Sequence, residues 1–247
     1  MNYKMKIQYD GTRYSGWQRL GGGEGTIQGK IEDVLSKLFE HKIEIHGAGR
    51  TDAGVHAAGQ IANFKVNSDK SCEEIQEYLN RYLPEDIAVT EVSQVDDRFH
   101  SRLSAKEKIY IYRITNSYTS NVFERRFIYQ LPQKLDIEKM REAAEYFLGE
   151  HDFRAFCSNR RMKKSSVRRI YSADIEKIGD EIRFTFRGNG FLYHTVRIIV
   201  GTLIEVGLGE RKPSEIPDII ATRSRDNAGK TAPAKGLTLF EVLYDGE

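Results

Sequence analysis

Cysteine is nearly missing from this chain: two occur in 247 residues, Cys72 and Cys157. That excludes a disulfide framework and a cysteine-based metal knuckle, and it fits a reducing compartment. No apolar run approaches the ~20 residues that a membrane-spanning helix needs. Met1-Asn2-Tyr3-Lys4 leads straight into an alternating segment with no apolar leader stretch. A soluble, cytoplasmic protein without membrane association is therefore expected. Charge of one sign is lacking as well. With 38 basic and 36 acidic residues the net charge is +2, so bulk charge points to no partner. The hydrophobic share of 39% is thin, but 21 glycines bring the chain close to the ordinary globular share of ~45–50%. Thirteen Tyr and twelve Phe supply core volume, which excludes a disordered chain.

Periodicity gives an order of elements. Residues 3–9 alternate as a strand, with Met5, Ile7 and Tyr9 on one face. A Gly21-Gly22-Gly23 loop precedes a helix in which Ile27, Ile31, Val34, Leu35, Leu38 and Phe39 recur at helical spacing, with Thr26 as its N-cap. Residues 42–48 and 60–66 read as two strands around a loop. Ser71-x-x-Glu74 is a capping box opening a second helix, and residues 87–95 alternate again. The second half repeats this order. Residues 106–116 form a strand, and Asp136 caps a helix running to Leu148, with Leu135 stapled on Met140 and Gly149 just past its end. Residues 168–177 and 181–187 make a hairpin around Gly179-Asp180. Residues 193–206 form a helix apolar on most faces, hence buried, ended by Gly207. A short helix over 214–222 and a strand over 237–244 complete the chain. The expectation is an α+β fold of two tandem ferredoxin-like halves, 1–103 and 104–247, around a mainly antiparallel sheet. Such an order hosts many activities and names none.

Several chemical motifs fail on spacing. The phosphate-cradling G-x4-G-K-[ST] pattern has Glu24 and Ile31 in required slots, and the six histidines show no metal-ligand spacing. Arg187-Gly-Asn-Gly-Phe-Leu-Tyr-His194 is close to an RNA-recognition signature, but Asn189 and His194 replace aromatics, and the segment crosses from a strand end into a helix. From Arg160 to Arg169 the chain reads RRMKKSSVRR, six basic residues in ten without an acid. That is either a solvated loop or a footprint for a phosphate backbone. Gly49-Arg50-Thr51-Asp52-Ala53-Gly54-Val55-His56-Ala57 is long for a connection between two neighbouring strands. It reads equally as a solvated turn with Asp52 as a cap, or as a catalytic loop.

Read whole, GRTDAGVHA resembles the signature loop of the tRNA pseudouridine synthase A family. So do Tyr9-Asp10-Gly11-Thr12-x-Tyr14-x-Gly16-Trp17-Gln18, Ser104-Ala105-Lys106-x-x-x-Tyr110-x-Tyr112, Phe191-x-x-His194-x-Val196-Arg197-x-Ile199-Val200-Gly201 and Ala234-Lys235-Gly236-Leu237. Together they span nearly the whole chain in order. The resemblance implies the pseudouridine synthase fold, and isomerisation of uridine to pseudouridine at positions 38, 39 and 40 of the tRNA anticodon stem–loop. It further implies a homodimer, with tRNA as partner and neither cofactor nor metal. Asp52 matches the catalytic aspartate, and Arg197 the arginine that pairs with it. Tyr110 matches the tyrosine lying on the target uracil, and Arg50 a residue that turns the nucleotide out of the stem. His56 is expected to shape the loop, with a direct RNA role as the second choice. Arg160, Arg161, Lys163, Lys164 and Arg168 would hold phosphates without reading bases. One departure is Ser101, where the family usually has Ala. The remaining alternatives are a synthase acting on another RNA site and a non-catalytic RNA-binding module.

Overall fold

A computed structural model describes residues 1–19 and 25–245, so the Gly21-Gly22-Gly23 loop and Glu24 lie outside the described residues. The chain divides into two compact bodies. One comprises Met1–Lys106 with Thr238–Glu247, and the other comprises Glu107–Leu237. Among the described residues no helix is long and apolar enough to cross a membrane.

The first body runs β1 (Asn2–Tyr9), α1 (Ile27–Phe39), β2 (His46–Gly47), β3 (His56–Lys65), α2 (Cys72–Tyr82) and β4 (Ile87–Val95). β1 lies between β3 and β4 and pairs antiparallel with both, and β2 pairs antiparallel with β3. The alternation in β1 does what the sequence predicts: Tyr3, Met5, Ile7 and Tyr9 are buried. Ile27, Ile31 and Leu35 of α1 and Ile75 and Leu79 of α2 are fully buried as well. Thr26 accepts a hydrogen bond from the Gly29 N–H, and the Ser71/Glu74 capping box is complete in both directions. Ser101 is fully buried: its N–H donates to Asn63, its hydroxyl to the His46 carbonyl, and its own carbonyl accepts from Tyr244. The hydroxyl thus adds a bond that an alanine lacks.

The strand expected over 42–48 shrinks to His46–Gly47. The reason lies in α1, whose polar side chains capture this backbone before a sheet does. Ser36 accepts from the Ile43 N–H, Glu32 from the Ile45 N–H, and Gln28 donates to the Ile45 carbonyl. Conversely, β3 begins at His56, four residues earlier than residue 60.

The second body contains β5 (Glu107–Thr115), β6 (Tyr129–Gln130), α3 (Ile137–Glu145), β7 (Gly149–Asp152), β8 (Val167–Ile178), β9 (Glu181–Gly188), α4 (Thr195–Gly207) and α5 (Ile216–Thr222). Its strands lie in the order β5-β9-β8-β7, all antiparallel, with β6 parallel to β5. The expected β8–β9 hairpin forms around Gly179, whose φ is +59°. Helix α3 ends at Glu145, short of Leu148, and Gly149 (φ +89°) opens β7 instead of closing the helix. Helix α4 is buried as expected, with ten of thirteen residues inaccessible. It starts at Thr195 because His194 sits in the left-handed region at φ +67°. The chain then returns to the first body as β10 (Leu237–Leu243), which runs parallel to β3 with Thr238 opposite His56. The pairing is therefore mixed, predominantly antiparallel, with few helices.

Candidate active site

The GRTDAGVHA segment is shorter as a loop than its sequence suggests, since His56 and Ala57 already belong to β3. What remains, residues 49–55, forms with Ala48 the connection over 48–55 and is fastened from beneath. Gln60 pairs with both backbone groups of Gly49, accepting from its N–H at 3.3 Å and donating to its carbonyl at 2.9 Å. The Tyr9 and Thr51 hydroxyls share a hydrogen bond of 2.7 Å, and the Trp17 N–H donates to the Thr51 carbonyl at 3.0 Å. The Val55 N–H closes a turn onto the Asp52 carbonyl, with Gly54 at φ +76°. Thr51, Val55 and His56 are buried, Asp52 is half-buried and Arg50 is exposed. The fastened positions thus alternate with those that carry charge.

The Tyr9–Gln18 motif is explained by the same loop. A Cβ on Gly11 would overlap the Val55 carbonyl, and one on Gly16 (φ +97°) would sit 2.7 Å from the Thr51 carbonyl oxygen. Only glycine permits both approaches. Asp10 caps the short turn Gly11–Arg13, and the Gly11 N–H donates to His56 Nδ1 at 3.1 Å. Asp10 Oδ1 lies 3.2 Å from the same His56 nitrogen. His56 is thereby a buried strut between the two motifs.

Tyr110 and Arg197 belong to the second body. Tyr110 lies on β5, is 8% exposed, and meets the edge of Phe191 with ring centres 5.3 Å apart. Arg197 is half-buried on the first turns of α4 and is not sealed in apolar surroundings. Its Nε donates to the Ala232 carbonyl at 2.7 Å, and the Ala232 N–H donates back to the Arg197 carbonyl at 3.0 Å. This double link clasps the 230–233 segment to the helix. Tyr112 donates to the Pro233 carbonyl of that segment. Burial pushes the Tyr112 phenol well up, and the Arg197 charge partly opposes the shift. Sequence reasoning missed Tyr9, Gln60, Phe191 and Ala232 as supporting partners. Tyr9 and Phe191 stand within the resembling motifs, which was the available signal.

In the basic stretch Arg160, Arg161, Lys163 and Lys164 are exposed. Arg160 is bound 2.6 Å from Asp226, both largely in water, and lines a polar hollow of about 550 Å³ with Glu205, Arg225 and Lys230. Arg168 is half-buried and donates to the Ser165 and Val167 carbonyls.

Two bodies with mixed sheets and an anchored, aspartate-bearing loop define a class to which comparison with known proteins gives a name. The family model described as "tRNA pseudouridine synthase" matches residues 5–103 and 143–245. A "tRNA pseudouridine synthase A" of Bacillus sp. (strain KSM-64) is 53% identical over 243 residues, covering 98% of this chain and 99% of that one. A protein of the same name from Acetivibrio thermocellus is 48% identical with the same coverage. A "tRNA pseudouridine synthase A 2" of Bacillus cereus is 46% identical, again over 98% and 99%. The chain belongs to the tRNA pseudouridine synthase family.

Proposed function

We propose that this protein isomerises uridine to pseudouridine at positions 38, 39 and 40 of the tRNA anticodon stem–loop. The observation that carries this reading is the full-length likeness to synthases of that name, joined to a loop pinned at Gly49, Thr51 and Val55 around Asp52. In the reaction the N1–C1′ bond breaks, the uracil turns, and a C5–C1′ bond forms. The hydrogen on C5 leaves as a proton and N1 gains one, so atoms and electrons balance without a redox partner.

Asp52 is the catalytic residue in this reading, attacking C1′ or C6, or taking a proton from the sugar. Each route uses the carboxylate as nucleophile or base, and Arg197 is the cation this reading assigns to act with it. Tyr110 offers its ring to the detached base, and its edge contact with Phe191 holds that ring in one orientation. Arg50, exposed on the loop, enters the space vacated as the nucleotide flips. Arg161, Lys163 and Lys164 hold phosphates, joined by Arg160 and Arg168 once these exchange their present partners for RNA.

The same reading includes a homodimer acting in the cytoplasm and two ferredoxin-like halves, 1–103 and 104–247. The order β1-α1-β2-β3-α2-β4, with β1 between its neighbours, supports the first half. β5-α3-β8-β9-α4, with β9 between β5 and β8, supports the second. The test is tritium release from an unmodified tRNA transcript labelled at uracil C5, followed by mapping of the modified positions. Release with pseudouridine at 38–40 is expected. Binding without release would indicate an RNA-binding module, and pseudouridine elsewhere would indicate another target site.

A further inference from the structure

Two polar side chains lie under the catalytic loop, each holding a different point of it. Tyr9 is 4% exposed at the end of β1, and Gln60 is fully buried on β3. Where they stand, β1 and β3 slip register: Ile7 faces Gln60 but Tyr9 faces Ala57. Ile7 and Tyr9 share one face of β1, so Gln60 opposite Ile7 shares it too, and Gln60 Nε2 stands 3.5 Å from the Tyr9 hydroxyl. Burial raises the Tyr9 phenol far above its usual range, so it stays protonated as a hydrogen-bonding group. Buried polar groups of this kind cost free energy unless satisfied, and here the loop backbone and Thr51 satisfy them. A hydrophobic pair would fill the same space at no such cost but would not fix where Gly49 and Thr51 stand.

We propose that Tyr9, Gln60 and Thr51 are positioning residues for Asp52, setting its carboxylate by locking the loop positions on its N-terminal side. Gln60 grips Gly49 as a strand would, and Tyr9 grips the Thr51 side chain directly before Asp52. This rests on the reading of Asp52 as the catalytic residue. Misplacement of a reacting group by ~1 Å can lower a rate about 100-fold while leaving binding intact.

The experiment measures single-turnover tritium release at saturating tRNA, together with tRNA affinity and thermal midpoint. Its proteins are wild type, Asp52→Asn, Tyr9→Phe, Gln60→Leu, Thr51→Val and Thr51→Ser. Rates are expressed per tRNA-binding-competent molecule, so loss of folded protein does not count as loss of rate. Tyr9→Phe, Gln60→Leu and Thr51→Val are expected to lose about 10- to 100-fold in rate with affinity changed less than about twofold. Thr51→Ser, which keeps the hydroxyl, is expected to restore the rate to within about threefold of wild type. An inactive Asp52→Asn beside full-speed Tyr9→Phe and Thr51→Val would overturn the positioning role alone. An active Asp52→Asn would overturn the catalytic reading and the positioning role with it. Equal losses in Thr51→Ser and Thr51→Val would also overturn the proposal, because the hydroxyl would then not be the element that matters.

Discussion

The loop over 48–55 and the stretch over 158–166 are both irregular connections rich in charge, yet they are built in opposite ways. The first is tied at Gly49 and Thr51 by the buried partners Gln60, Tyr9 and Trp17 and turned on itself at Val55, and Gly11 and Gly16 stand where its backbone presses on them. The second is anchored at its ends, Ser158 by Tyr193 and His194 and Ser166 by Phe153, while between them Arg161 N–H bonds to Asn159, Arg160 pairs with exposed Asp226, and the cations stand in water. Chemistry on a glycosidic bond demands a carboxylate placed to fractions of an ångström. Attraction to a phosphate backbone demands only charge density in roughly the right place. On the proposed function, the two segments differ in how they are supported because their tasks differ in tolerance.

Breaking the support of the first segment gives the largest expected effect. Gly16→Val forces a side chain onto a φ of +97° and against the Thr51 carbonyl. It should cost about 1–3 kcal/mol of backbone strain and a similar amount from crowding, seen as a lower urea midpoint. Turnover should fall further than the loss of folded protein explains.

Arg197→Ala comes next. Removing the guanidinium leaves the Ala232 carbonyl without its Nε donor and, on the proposed function, takes away the cation assigned to act with Asp52. Stability should fall by about 1–3 kcal/mol in denaturant titrations, below the cost of a sealed ion pair, since Arg197 is half-buried. Turnover should drop about 100-fold or more. A stable, active variant would show that Arg197 has no part in the chemistry assigned to Asp52.

In the second segment, changing Arg160, Arg161, Lys163 and Lys164 together to Ala should flatten the slope of log affinity against log salt by ~2–3 units. All tRNAs should weaken alike. An unchanged slope would place the RNA path elsewhere.

The smallest effect sharpens the contrast. Asp226→Asn releases Arg160 from an exposed pair worth at most about 1 kcal/mol. Affinity for tRNA should rise by about two- to fivefold in filter binding. No such gain is expected if Arg160 serves only to hold the 225–227 turn.

Where local periodicity sets an element, the sequence was enough to read it: β1, α1, α2, β4 and the β8–β9 hairpin stand where their apolar spacing and caps put them. It was insufficient where partners distant along the chain decide. The segment over 42–45 looks like a strand, but its amides are taken by Ser36 and Glu32. β6 and β7 are too short and polar to carry a periodic signal. His194 adopts a left-handed conformation that no spacing announces. The site divides along the same line. Asp52, Arg50 and Tyr110, the residues proposed for the chemistry, are legible through a family motif, whereas the hold of Tyr9 and Gln60 on the loop comes from the pairing of β1 with β3, far apart along the chain.

The most direct measurement compares Asp52→Asn with the four-alanine variant of the basic stretch, reading tritium release and tRNA affinity on the same transcript. Asp52→Asn should release no detectable tritium while affinity changes by less than about tenfold, or ~1.4 kcal/mol. The four-alanine protein should bind weakly at physiological salt but turn over within about twofold of wild type when tRNA saturates it. Measurable release by Asp52→Asn, or a collapse of saturated turnover in the four-alanine protein, would contradict the division between a positioned loop that reacts and an exposed stretch that binds.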